Sequence, residues 1–194
     1  MKLLLLLACG NDPATLTPVA ETPLAVEQSP GRSWRRMNID QLRASMEQAS
    51  GGIGWTEEQD GEAVQLFDAL SGSLGKPDYL SATEEELAPG LLFQKFLSDA
   101  ADSICRELVA VDPGRAEPTL FVYAGPEDTD PAAIDANLRA ALLRFHGRRL
   151  AEGDPALAGW HTLLERVYAD SGDMSLAWRA VCVGLYTHPD FYSF

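Results

Sequence analysis

Residues 91–111 read LLFQKFLSDAADSICRELVAV, and this stretch decides the fold. Phe93, Phe96, Leu97, Ala100, Ile104, Leu108 and Val111 fall at helical steps and make one wide apolar stripe. Asp112-Pro113-Gly114 then ends the pattern, because Pro cannot donate to the helical ladder and Gly readily leaves it. The spacing predicts a helix from about Leu91 to Val111. Further along, Thr119–Tyr123 is the only strand-like run, too short and without an evident partner, and it is read as extended loop. Pro131 opens another helix with Ile134, Leu138, Leu142 and Phe145 in register, punctuated by Gly147 and by Gly153-Asp154-Pro155. Leu157, Trp160, Leu164, Val167 and Tyr168 give a further amphipathic helix, closed by Ser171-Gly172. A last helix runs from about Ser175 to Tyr186, with Trp178, Val181, Cys182 and Leu185 aligned and His188-Pro189 as its stop.

Toward the N-terminus, Ile39, Leu42 and Met46 share a helical face, and Asn38 with Gln41 matches a capping box. Gly51-Gly52-Ile53-Gly54 stops that helix. Ala63, Val64, Phe67 and Leu70 suggest a second helix, broken by Ser71-Gly72 and Gly75-Lys76-Pro77. Thr83 with Glu84, Glu85 and Glu86 reads as a helix start, since acids in a first turn suit the helix dipole. Connections are short, which favours antiparallel neighbours. The expected fold is all-α, an irregular bundle of about five to seven helices behind a disordered N-terminal tether.

The extreme N-terminus carries a different message. Met1-Lys2 is positive, Leu3 to Ala8 is apolar, and Cys9 follows. Leu6-Leu7-Ala8-Cys9 resembles the lipobox of bacterial lipoproteins, which implies lipidation at Cys9 and removal of the preceding leader. Two or three acyl chains make such an anchor stable, because each buried CH₂ contributes about 0.8 kcal/mol. Residues 11–32 hold Pro13, Pro18, Pro23 and Pro30 among Thr, Ala, Glu and Ser, a density that blocks helix and ladder. Residues 1–8 are therefore read as signal peptide, 9–32 as a lipidated Pro-rich tether and 33–194 as a helical domain. The formal net charge of −14 repels phosphate backbones and anionic lipid headgroups, so no nucleic-acid partner is expected. The membrane contact expected is the N-terminal lipid alone.

Two segments carry a further resemblance. Arg35-Arg36-Met37-Asn38, its following helix and the Gly-rich stop resemble the opening of a helical module in large secreted cytochrome-c-associated proteins of planctomycetes and myxobacteria. At the other end, Leu142-Leu143-Arg144-Phe145-His146-Gly147-Arg148-Arg149-Leu150 leads through two helices to Thr187-His188-Pro189-Asp190-Phe191-Tyr192. This is similar to the same family's helix pair and its tail. The resemblance covers about a third of the chain and implies a helical, exported, surface-associated module with no known reaction. The chain departs from haem-bearing members in having no C-x-x-C-H, so no covalent haem is expected.

Motifs that carry catalysis are missing: there is no P-loop, no dinucleotide fingerprint, no H-E-x-x-H and no G-x-S-x-G. Gly51–Gly54 lacks the Lys and Ser/Thr of a phosphate cradle. Glu127, Asp128 and Asp130 begin an acidic cluster, but Arg139 stands where a calcium loop needs its closing Glu. Asp170 and Asp173 flank Gly172 as cap and turn residues. His146 suits a helix C-terminus, His161 the edge of an apolar face and His188 a turn. Sequence spacing therefore gives no catalytic residue, no metal ligand set and no cofactor. A site using two histidines needs the fold to bring them together.

With Cys9 acylated, Cys105 and Cys182 remain as an even pair, each on the apolar stripe of a predicted helix. Two readings stand side by side: a disulfide, if two core-facing helices bring the Cα atoms within about 4.4–6.8 Å, or two separate buried thiols packing as small hydrophobes. The functional expectation is a non-catalytic accessory or interaction lipoprotein of the cell envelope, with a protein partner there. The alternative is an envelope enzyme or redox component with a His/carboxylate site assembled by the fold. A concave pocket with two histidines and carboxylates favours the second; a convex surface with one large apolar patch favours the first.

Overall fold

The structure, a computed structural model, describes residues 35–74, 76, 85 and 87–194. The leader, Cys9 and the Pro-rich tether lie outside the described residues. The first helix, α1 (Ile39–Ala49), starts at a full capping box: Asn38 Oδ1 accepts from the Gln41 amide and Gln41 Oε1 from the Asn38 amide. It buries Ile39, Leu42, Met46 and Ala49. Gly51, at φ +70°, turns the chain out of the helix. No basic residue stands in the last turn of α1, and two distant arginines supply the positive charge. Arg144 donates to the carbonyls of Ala49 (2.7 Å) and Gln48 (2.9 Å), and Arg115 to that of Ser50 (2.6 Å).

The next segment departs from the sequence expectation. Ala63 and Val64 do not belong to a helix. Thr56–Gln59 (β1) and Glu62–Gln65 (β2) form an antiparallel hairpin joined by Asp60-Gly61, both at positive φ as a type I′ turn requires. Only then does a short helix, α2 (Leu66–Leu70), begin. Phe67 and Trp55 anchor this region on Phe96, with three ring pairs at 5.1–5.6 Å in edge-to-face geometry.

Of the acidic run before the long helix, Thr83, Glu84 and Glu86 lie outside the described residues, and Glu85 plays a different role from a helix start. Glu85 is not helical. Its carboxylate meets the Arg36 guanidinium at 2.6 Å and the Ile39 amide at 3.4 Å, so it serves the N-terminus of α1. Arg36 is 2% exposed and also lies 4.7 Å over the Phe93 ring; a cation that deep requires an anion, and Glu85 provides it. The long helix α3 (Leu91–Val111) starts at Gly90 without a side-chain cap.

α4 (Pro131–His146), α5 (Ala158–Ser171), α6 (Met174–Thr187) and the short α7 (Pro189–Tyr192) complete an all-α fold with one small hairpin. Capping by Asp130 and Asp173, with Gly147 and Gly172 as left-handed stops, sets the helix limits. α6 packs along both α3 and α5. It buries Met174, Ala177, Trp178, Val181, Cys182, Leu185 and Tyr186. Cys105 of α3 and Cys182 of α6 are joined by a disulfide across Cα atoms 5.8 Å apart. Gly184 lets α5 approach closely, because a Cβ there would meet the Trp160 ring at 3.2 Å.

The strand-like run at residues 119–123 is loop, and the reason is local. Asp112 is fully buried, and its carboxylate accepts from the amides of Thr119, Leu120 and Phe121 at 2.8–2.9 Å and from the Thr119 hydroxyl at 3.0 Å. Buried Asn137 of α4 takes the next turn of the loop, accepting from the Tyr123 amide and donating to the Ala124 carbonyl. Two side chains thus satisfy backbone groups that a neighbouring strand would otherwise pair. Residues 35–37, ahead of α1, are also joined to residues 192–194. The Met37 amide donates to the Tyr192 carbonyl (2.7 Å) and the Phe194 amide to the Arg35 carbonyl (3.0 Å). No helix among the described residues is long and apolar enough to cross a membrane.

Removing the Asp112 carboxylate leaves three buried amides unpaired, so Asp112→Ala is expected to lower the unfolding free energy by about 3 kcal/mol or more. Urea denaturation checks this, and a loss below about 1 kcal/mol contradicts the anchoring role. The disulfide spans 77 residues. Its removal in Cys105→Ala/Cys182→Ala is expected to cost up to about 4 kcal/mol, and an unchanged denaturation midpoint contradicts that.

Candidate functional site

Helix ends create the site. His146 is the last residue of α4, and Gly147 at φ +65° turns the chain away immediately after it. His188 links α6 to α7 and caps α7: its Nδ1 accepts from the Asp190 amide at 3.1 Å, with Pro189 pre-set at the first helical position. Asp190 lies in that first turn. The end of α4 therefore meets the junction of α6 and α7, and the two imidazoles stack with centroids 4.9 Å apart and planes 29° from parallel. Trp160 of α5 closes one side, its ring 5.8 Å from His146 and 6.0 Å from His188. One nitrogen from each imidazole and a carboxylate oxygen of Asp190 lie within 4.8 Å of one another.

The hydrogen bonding of His146 is uneven. Its Nε2 lies 2.9 Å from the Leu185 carbonyl, an acceptor, so this nitrogen carries the hydrogen and donates. Nδ1 is buried without a hydrogen-bond partner. Burial pushes the His146 pKa below the ordinary 6.5, and the charges of His188 and Arg148 push the same way. The bond to Leu185 and the Asp190 carboxylate oppose this without reversing it. In the neutral tautomer that this bond selects, Nδ1 keeps its lone pair and accepts no hydrogen bond. Arg148 approaches the Asp190 carboxylate at 3.5 Å. The third histidine stands apart from this pair: His161 Nε2 is 3.3 Å from Asp135, which Arg139 also holds at 2.9 Å.

Four of the acidic residues weighed from the sequence do structural work. Glu127 accepts from the Ser175 hydroxyl, Asp128 from the Asp130 amide, and Asp130 and Asp173 cap α4 and α6. Trp55 and Trp178 are packing residues. A second surface feature runs beside α4. It is a shallow groove of about 610 Å³ lined by Tyr123, Leu143, Leu150, Arg139, Arg144 and Arg149, with no carboxylate, histidine or cysteine in its wall. On a chain of net charge −14 this is a local concentration of positive charge.

Sequence spacing missed the His146–His188–Asp190 juxtaposition, because it depends on where two helix ends meet. One signal was present: His188-Pro189-Asp190 has the form of a helix start, which places His188 and Asp190 in one turn. Compared with known proteins, the chain matches no family model, no curated protein and no solved structure.

Protonation of His146 is disfavoured in the folded state, so the unfolded chain binds the extra proton more readily. Its contribution to stability is full above the unfolded value near 6.5. That contribution is lost as pH falls through the lower folded value. An NMR titration of the imidazole C–H signals is expected to give His146 an apparent pKa below 6.5. A value above 6.5 contradicts the burial and hydrogen bonding described.

Proposed function

We propose that this chain is a non-catalytic accessory protein of the bacterial cell envelope. On this reading it is held by acyl chains on Cys9 and works by binding a protein partner rather than by turning over a substrate. The Cys105–Cys182 disulfide carries the proposal. Stable disulfides belong to oxidising compartments and are rare where thiols are kept reduced. A buried cross-link between two core helices therefore supports export, which the Leu6-Leu7-Ala8-Cys9 leader independently suggests.

Binding rather than turnover is supported by the surface. The groove beside α4 offers arginines and apolar side chains but no group to act as acid, base or nucleophile. Such a lining suits an acidic partner segment with apolar side chains. The alternative, an envelope enzyme or redox component, has one observation in its favour: the fold does assemble two histidines and a carboxylate. His146 and His188 do not line the groove beside α4, so the two features are separate.

The test is fractionation of a bacterial host expressing the full chain. Wild type is expected in the membrane fraction, with Cys105 and Cys182 resistant to alkylation until reduced. Cys9→Ser is expected to release the protein from membranes or to leave the leader uncleaved. Processing and fractionation identical to wild type would falsify the anchor, and freely alkylated Cys105 and Cys182 in the native protein would overturn the compartment.

A further inference from the structure

We propose that His146, His188 and Asp190 form a binding site for a divalent transition-metal ion of the zinc class. Two imidazoles and one carboxylate are the donor set that suits zinc and its neighbours, and they leave a further coordination position open.

Four observations on the structure carry the assignment. The ligand atoms converge from different parts of the chain, His146 at the end of α4 and the His188/Asp190 pair at the start of α7, to within 4.8 Å of one another. Ligands about 2.0–2.2 Å from a tetrahedral ion stand roughly 3.4 Å apart. Closing the cluster on an ion therefore needs side-chain rotations of about an ångström at helix ends, not a rearrangement of the core. His146 is already arranged as a ligand: its Nε2 donates to the Leu185 carbonyl, which fixes the tautomer and points the bare Nδ1 lone pair away from that bond. A ligating histidine characteristically gives its other ring hydrogen to a carbonyl or carboxylate in this way. That Nδ1 is buried with no other partner, a cost that a metal bond removes. Finally, Trp160 flanks both rings and restricts water on one side.

Two contacts oppose binding and set its strength. His188 Nδ1 accepts the Asp190 amide hydrogen and lies 3.7 Å from Asp190 Oδ2. Ligation through Nδ1 exchanges that capping bond for a metal bond, while ligation through Nε2 requires Nδ1 to carry a hydrogen and turn it toward the carboxylate. Arg148 holds the Asp190 carboxylate loosely, at 3.5 Å with both side chains partly exposed, and must share or release it. Both contacts are on the surface and weak, so they reduce affinity without excluding the ion.

The experiment uses the purified full chain, stripped with chelator and titrated with ZnCl₂. One equivalent is expected to bind, with excess Mg²⁺ failing to compete. In the wild-type protein, NMR signals of the His146 and His188 imidazoles are expected to move on zinc addition while those of His161 stay in place. This readout needs no variant and survives if a substitution impairs folding. His146→Gln and Asp190→Asn are each expected to weaken binding beyond the roughly 10–100-fold that loss of an outer hydrogen-bond partner costs. Absence of saturable binding, unmoved His146 and His188 signals, or folded variants that bind as tightly as wild type overturn the assignment.

Discussion

Cys182 and Tyr186, one helical turn apart on α6, hold the molecule together from its middle. The sulfur of Cys182 is bonded to Cys105 on α3, and the phenol of Tyr186 donates to the Met46 carbonyl on α1 at 3.0 Å. Burial raises the pKa of that phenol far above its ordinary range, so it remains a donor at any pH the fold survives. Between and around these two links α6 buries Ala177, Trp178, Val181 and Leu185. A fully buried Trp or Tyr removes about 150–250 Å² from water. At about 25 cal/mol per Å² each contributes some 4–6 kcal/mol before entropy. That is as much as the disulfide itself. The covalent link therefore fixes the pairing of α3 with α6, while apolar burial supplies comparable energy without specifying register so strictly.

Electrostatics in this acidic chain follows from depth. Exposed pairs such as Lys95–Asp99 and Arg106–Asp102 lie on one helix and contribute little. Among the described residues the buried charges are Arg36 and Asp112, and each has partners. Arg36 meets Glu85, and Asp112 meets three amides and a hydroxyl. Asp112 shows why the carboxylate type matters: only an acceptor with two oxygens can gather successive amides of residues 119–121 into one turn. The turn at residues 119–121 is thus set by one side chain just past α3, and Asn137 holds the residues that follow.

How much of this was legible depends on how local the cause is. α3 was readable to the residue because its stripe, its Pro-Gly stop and its length all agree. α1, α4, α5 and α6 followed for the same reason. The hairpin was not read, although Asp60-Gly61 is its strongest signal, because β1 and β2 are largely exposed and show no apolar alternation. Glu85 looked like a cap for its own segment, but the buried Arg36, 49 residues away, claims it. The weakness of the strand pattern at residues 119–123 marks a loop, whereas its cause, Asp112, carries no sign in the sequence beyond that of a helix stop. The histidine pair was invisible for the most basic reason: each residue has an adequate local role, and only tertiary packing adds the second one.

That packing gives the His146–His188–Asp190 cluster a place in the closure of the fold. α7 has four residues, too few to be stable by itself. It is held by burial of Phe191 and Tyr192, by edge-to-face contact of Phe191 with Tyr186, and by the capping bond from the Asp190 amide to His188. Just beyond it, the carbonyl of Tyr192 and the amide of Phe194 pair with Met37 and Arg35 at the entrance to α1. The residues that clasp the two ends of the helical unit are therefore continuous with the residues that form the cluster. His146 adds a bond from α4 to the Leu185 carbonyl just before this junction. A ligand held by the cluster engages the folded arrangement and not the unfolded chain, so its binding free energy adds to the stability of the closed fold by linkage. Position, rather than any one residue, makes this corner sensitive to ligation: three helix ends meet there, and the last of them leads into the residues bonded to the entrance of α1.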